Sequence, residues 1–278
     1  MHWVPRRPAP TLRPLVDAYI GYRVSGPRGL HRGLPSRHLT LIASIGEPID
    51  VVTQTDPRQR PDRYRFVVGG LQAGPALIAT PELQEGVAIE LTPLGSRALL
   101  GMPAAELWDL SVEAGDVMGS AADELWERLH LAADWPSRFA ACDDVFCRLV
   151  SLGHASAPAQ VARAWELLAA SGGTLGVGEV ADRVGWSRRH LAARFTGEFG
   201  LPPKLAARIV RFERATTMLR SPVRPALAEV AAACGYYDQP HLNRDFVELA
   251  GCPPLEWLAT EFPSVQDGEV AAWASSRA

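Results

Sequence analysis

The chain has 278 residues, 47% of them hydrophobic, and a formal net charge of −3 at pH 7. This length suggests about two domains with ample material for their cores. Disulfide-scaffold and membrane-spanning classes are excluded, since Cys142, Cys147, Cys234 and Cys252 form no CxxC pair and no apolar run reaches about 18 residues.

Met1 to Thr11 is rich in Arg and Pro and lacks a signal-peptide pattern, so a soluble cytoplasmic protein is expected. Short strands are predicted at Leu39 to Ile45, Asp50 to Thr55, Arg63 to Val68, Pro75 to Ala79 and Gly86 to Leu91, with the polar segment Asp56 to Asp62 as a break. From about Pro103 to Leu152 the spacing turns helical, with Leu125, Trp126 and Leu129, then Phe139, Cys142, Val145, Phe146 and Leu149. Strands followed by helices predict an α+β domain over residues 1–155. His31 and His38 have no second histidine at metal-ligand spacing and are read as structural. Asp143 and Asp144 are adjacent on a helix, where side chains diverge, and are read as a solvated face.

After a junction at Ala155 to Pro158, Gln160 to Ala170 reads as an amphipathic helix opening an all-α domain over residues 158–262. That domain contains the same pattern twice. Glu179, Val180, Ala181 and Gly185 match Glu229, Val230, Ala231 and Gly235 at an offset of 50. His190, Leu191, Phe195, Gly200, Pro202 and Pro203 match His241, Leu242, Phe246, Gly251, Pro253 and Pro254 at an offset of 51. In each copy a small residue allows close helix approach, a glycine supplies the turn, and Ser187 or Asp238 caps the next helix. Leu191 with Phe195, and Leu242 with Phe246, bury one face of that second helix. Each copy is therefore a helix-turn-helix unit, whose second helix suits a major groove.

With those faces inward, Arg188, Arg189, Ala192 and Ala193 lie on or near the outside of the first reading helix, and Gln239, Pro240, Asn243 and Arg244 on that of the second. Arg can bind guanine bidentately, and Gln or Asn can bind adenine. The second helix has the better base-reading set. In the first, Arg188 and Arg189 suit bases and phosphates equally, and the alanines offer only contact with thymine methyls. A helix from Pro203 to Leu219 joins the units as a stiff spacer of about 25 Å. This predicts two short half-sites about one helical turn, roughly 34 Å, apart. From Arg183 to Arg224 ten basic residues face Glu198 and Glu213, 10 − 2 = +8, a local basic field within a mildly acidic chain.

The region from about Val161 to Phe262 resembles the DNA-binding domain of AraC-type (AraC/XylS family) bacterial transcription regulators. The resemblance rests on Glu179-Val180-Ala181, Gly185-Trp186-Ser187, Leu191, Phe195, Gly200, Pro203, Arg211, Ala215, Leu219, Val230-Ala231, Gly235-Tyr236, Asp238-Gln239, His241, Arg244, Phe246, Gly251 and Pro254. It implies a sequence-specific transcription regulator whose DNA-binding residues are Ser187, Arg188, Arg189, Ala192, Arg194, Arg208, Gln239, Asn243 and Arg244. Ala193 stands where the family often has Arg, and Pro240 where it usually has a small polar residue. The resemblance also implies a β-rich sensory front domain, a small-molecule effector, and a homodimer formed through its helices. Trp3, Tyr19, Tyr22 and Tyr64 are candidates for an effector pocket, although core or surface packing is the commoner role of such residues.

No catalytic residue, cofactor or metal is assigned. Gly176 to Ala181 fits a dinucleotide fingerprint formally but follows a helix instead of a strand, and no P-loop or GxSxG elbow is present. A DNA-associated enzyme with a catalytic front half and a helical interaction protein are the alternative readings. Residues 263–278 are expected to form a loose tail.

Overall fold

A computed structural model describes residues 2–153, 156–221 and 223–261. The expected tail at 263–278 lies outside them. The chain divides into two compact units, one of Met1–His31, His38–Leu71 and Ala76–Ala157, the other of Arg32–Arg37, Gln72–Pro75 and Pro158–Ala278.

Among the described residues the strand-rich part of the chain has ten strands. They are β1 (His2–Arg6), β2 (Val16–Ser25), β3 (Gly29–Gly33), β4 (Leu39–Ser44), β5 (Ile49–Thr53), β6 (Asp62–Tyr64), β7 (Phe66–Gly69), β8 (Ala76–Thr80), β9 (Leu83–Leu91) and β10 (Ser111–Glu113). A six-stranded sheet has the order β1-β2-β9-β4-β7-β10, and a four-stranded sheet the order β3-β8-β5-β6. The predicted strand over Arg63 to Val68 is two strands, broken at Arg65. Four strands have no counterpart in the predicted set: β1, β2, β3 and β10. β1 carries Pro and Arg, β2 contains a bulge, and β3 carries two glycines, so their local patterns are weak.

A single turn at Pro93–Gly95 (α1) follows the strands, then α2 (Ala114–Met118), α3 (Ser120–Leu131) and α4 (Trp135–Ser151). Asp143 departs from the solvated face expected for it. It accepts hydrogen bonds from the Tyr19 hydroxyl at 3.1 Å and the Ala9 amide at 2.9 Å, and pairs with Arg6 at 3.3 Å. Asp144, pointing elsewhere on the same helix, pairs with Arg128 at 2.6 Å. Only the divergence of the two side chains was readable from their adjacency.

Tyr19 is fully buried and packs its ring against Phe139 and Phe146 of α4. Tyr64 is buried, donating to the Ser111 carbonyl and accepting from Gln54. Trp3 and Tyr22 stack on neighbouring strands with centroids 5.8 Å apart. Gly21 makes room for α4, because a Cβ there would meet the Trp135 ring at 2.4 Å. Gly21→Ala should therefore destabilise this unit by about 1–3 kcal/mol. A urea melt that moved by less than the low end would mean Trp135 swings away freely.

The helical part comprises α5 (Ala159–Ala170), α6 (Val177–Arg183), α7 (Arg188–Phe199), α8 (Pro203–Leu219), α9 (Leu227–Ala233), α10 (Gln239–Ala250) and α11 (Pro254–Glu261). α6 with α7, and α9 with α10, are the two helix-turn-helix units, and the 17-residue α8 joins them. Ala181 and Ala231 are buried between paired helices. Gly185 and Gly235 take φ of 73° and 75°, which only glycine adopts without strain. Each unit has its own aromatic core: Trp165, Phe195 and Phe199 in the first, Phe212, Phe246 and Trp257 in the second. No helix among the described residues is long and apolar enough to cross a membrane.

Candidate nucleic-acid interface

The reading helices begin alike. Ser187 accepts a hydrogen bond from the His190 amide at 3.2 Å, and Asp238 from the His241 amide at 2.7 Å. Both caps satisfy an amide that has no intrahelical partner. The histidine in each then meets the aromatic residue of the turn edge-on, His190 with Trp186 and His241 with Tyr236. These contacts fix the entry angle of each reading helix. Ser187→Ala and Asp238→Ala should each lower the stability of the helical unit by about 0.5–2 kcal/mol. Urea melts of the two variants check this, and unchanged midpoints would remove the caps from the account.

Eight of the nine expected DNA-binding residues are exposed or half-buried on the reading helices or at their caps. Arg188, Arg189, Gln239 and Arg244 are exposed, as is the cap Ser187, while Ala192 and Asn243 are half-buried at the edge of the outer face. Equivalent positions differ in chemistry: Arg188 corresponds to Gln239, Ala192 to Asn243 and Ala193 to Arg244. Arg188 also lies close over α6, where a Cβ on Gly178 would meet its guanidinium at 2.5 Å. Asn243 Oδ1 is buried and makes no hydrogen bond among the described residues.

Arg194 and Arg208 sit differently. Arg194 is exposed but occupies the position of Asp245, about 100° around the helix from Ala193 and away from the Arg188 and Ala192 edge. Arg208 of α8 is committed inside the domain. Its Nη2 donates to Asp245 Oδ1 at 2.8 Å and also to Glu248, and its Nε donates to Asp245 Oδ1 at 3.2 Å. Burial works against its charge, but the bonds to Asp245 and Glu248 outweigh that and raise its pKa. The same bond from Arg208 lowers the Glu248 carboxyl below its usual range. Arg208 is thus a brace between α8 and α10 instead of an open phosphate ligand. Its sequence position could not reveal this, because the partners lie 37 and 40 residues away.

The basic segment is likewise uneven. Arg183 pairs with Glu179, Arg211 donates to the Gly173 carbonyl and lies over Tyr236, and Arg220 lies over Trp257. Arg188, Arg189, Arg194, Lys204, Arg214 and Arg224 remain exposed.

Three exposed residues beside the reading edges were missed. Thr196 and Val247 are equivalent positions one turn beyond Ala192 and Asn243, and Val247 is 50% exposed. Their signal was the same i+4 spacing, continued one turn further. Tyr237 is 93% exposed immediately before the cap Asp238. Nothing in its local sequence distinguishes it from an ordinary turn residue.

Residues 180–260 match the model of a helix-turn-helix domain family. No curated protein matches the chain. Among solved structures, ToxT from Vibrio cholerae O395 is similar at 11% identity, with 88% of this chain and 98% of that chain covered and a TM-score of 0.50. ToxT bound to (E)-4-(8-methylnaphthalen-1-yl)but-3-enoic acid is similar at 10% identity, with 94% and 100% covered and a TM-score of 0.51. A transcriptional regulator with an AraC-type DNA-binding domain from Chromobacterium violaceum is 25% identical over 37% of this chain and 92% of that one, with a TM-score of 0.34. The ToxT-like order of a β-rich part followed by a helical part accompanies two capped helix-turn-helix units within the matched region. Residues 180–260 therefore belong to a helix-turn-helix domain family, and the fold of the chain is similar to that of ToxT.

Proposed function

We propose that α7 and α10 read two adjacent major-groove half-sites, with the second unit carrying most of the base recognition. The carrying observation is the difference between two equivalent edges. α10 presents exposed Gln239 and Arg244 with Asn243 between them, whereas α7 presents Arg188 and Arg189 followed by Ala192 and Ala193. Gln, Asn and Arg match base edges bidentately. Paired arginines at a helix start, backed only by alanines, suit phosphate and positioning. Ser187 and Arg194 flank the first contact, and Arg208 contributes by holding α10. The reading domain is assigned to 158–262 and the responsive domain to 1–155. A small-molecule effector or homodimerisation acting through the front domain controls DNA binding. That a ToxT structure holds a naphthalene-substituted butenoic acid supports an effector of small organic type. Nothing in this role requires catalysis.

Selection from random duplex DNA, followed by affinity measurements over a salt series, tests the reading. Two enriched blocks about one helical turn apart are expected. Arg244→Ala should weaken binding to the selected site by about 1–3 kcal/mol and relax the preference at one position of the second block. Arg189→Ala should instead reduce the salt slope by about 1 with little change in preference. Enrichment of a single block, or a preference untouched by Arg244→Ala, would overturn the two-site assignment.

A further inference from the structure

In the six-stranded sheet β2, β9 and β4 lie side by side. Leu91 pairs with Val16 on one side and Leu39 on the other, and Glu90 pairs with Ala18 and Thr40. One step along β9 therefore faces two steps along β2, which is a bulge at Asp17. The bulge turns Asp17 toward the face that carries Glu90. His38, in the bend immediately before β4, brings its Nε2 to Asp17 Oδ2 at 2.7 Å. One ligand atom from each of Asp17, His38 and Glu90 lies within 4.8 Å of the others.

We propose that Asp17, His38 and Glu90 form a site for a divalent first-row transition-metal ion, with Zn²⁺ as its simplest probe. His38 is a side chain only 4% exposed, its Nε2 lies 2.7 Å from Asp17 Oδ2, and Asp17 is 31% exposed. A buried imidazole is satisfied by one carboxylate. A second carboxylate stands within the same reach, so a dication entering here meets three ligand atoms at once. One imidazole nitrogen with two carboxylates is a donor set for first-row ions, and three neighbouring strands hold it on a rigid base. Tetrahedral bond lengths of about 2.0–2.2 Å place neighbouring donors roughly 3.3–3.6 Å apart. The cluster meets this by a small opening of the His38–Asp17 pair, now 2.7 Å, with every other pair already within 4.8 Å. The exposed side of Asp17 gives the ion an entry path and leaves room for water as a further ligand. Sequence spacing hid the site because its residues are 21 and 52 positions apart, joined only by strand pairing.

The test titrates the purified full-length protein with Zn²⁺ by calorimetry and with Co²⁺ by absorption. One ion per chain is expected, with cobalt d–d bands but without the intense near-ultraviolet band of thiolate ligation, which separates this site from the four cysteines. His38→Ala, Glu90→Gln and Asp17→Asn should each weaken binding at least about tenfold. Added Zn²⁺ should raise the melting temperature of the unchanged protein but not that of the variants. Glu90→Gln and Asp17→Asn keep side-chain volume, so they carry the test if His38→Ala does not fold. The proposal is overturned if no stoichiometric ion is retained, if the folded variants bind as the unchanged protein does, or if cobalt reports thiolate ligands.

Discussion

Replacing Arg208 by alanine is expected to destabilise the helical unit by about 3–5 kcal/mol while leaving the salt slope of DNA binding unchanged. The first effect follows from Asp245, whose side chain is 4% exposed and whose Oδ1 accepts both bonds from Arg208. Its Oδ2 is buried with no partner, so Arg208 is its neutralising contact at 2.8 Å. Without the guanidinium, a buried carboxylate would be left beside α8 with no compensating charge. This stabilises the unfolded chain relative to the folded one.

A double variant separates this brace from a general loss of packing. With Arg208→Ala and Asp245→Asn together, no uncompensated buried charge remains, since Glu248 is 60% exposed, and part of the lost stability should return. Urea melts of both variants measure it. An Arg208→Ala protein of normal stability whose salt slope fell by about 1 would instead make Arg208 a phosphate ligand. The contrast with Arg189→Ala, which should change the slope and leave stability almost alone, makes the two roles distinguishable in one set of samples.

Local chemistry recurring at a fixed offset made the helical unit readable. Caps at Ser187 and Asp238, turns at Gly185 and Gly235, and helix ends at Gly200 and Gly251 each depend on residues a few positions apart. The spacer was equally plain, because Pro203 opens it and its apolar stripe runs to Leu219. In the front half the decisive contacts are distant. β2 is held by β1 and β9, and its pattern is interrupted by the bulge at Asp17 and by the Gly21 gap that Trp135 fills. Neither interruption has a local signature. The same holds at the interface: exposure of Arg244 and Gln239 followed from burying Leu242 and Phe246, but the capture of Arg208 by Asp245 requires knowing how α8 crosses α10. Arg194 and Asp245, equivalent in the repeat, differ in burial for that reason.

Phe195→Ala and Phe246→Ala should each remove about 3–5 kcal/mol of stability, and they should damage different half-sites. Both rings are fully buried. Phe195 packs between Trp165 and Phe199 with centroids 5.9 and 4.7 Å away, and Phe246 between Phe212 and Trp257 at 4.8 and 5.8 Å. Each ring lies under the reading edge of its own helix, so the cavity left by alanine loosens that helix first. Footprinting should show Phe195→Ala losing protection over the first block and Phe246→Ala over the second. Sequence preference should fall further in Phe246→Ala, because Gln239, Asn243 and Arg244 all stand on the helix it loosens. The shared α8 sets the limit of this separation. Phe212 belongs to α8 and to the second aromatic core, so loosening α10 also reaches the spacer, whereas Trp165 belongs to α5, so loosening α7 reaches that helix instead. Hydrogen exchange should accordingly rise in α7 with part of α5 for Phe195→Ala, and in α10 with part of α8 for Phe246→Ala. Equal loss of protection at both blocks in either variant would mean that the two units open as one, and that base reading cannot be divided between them.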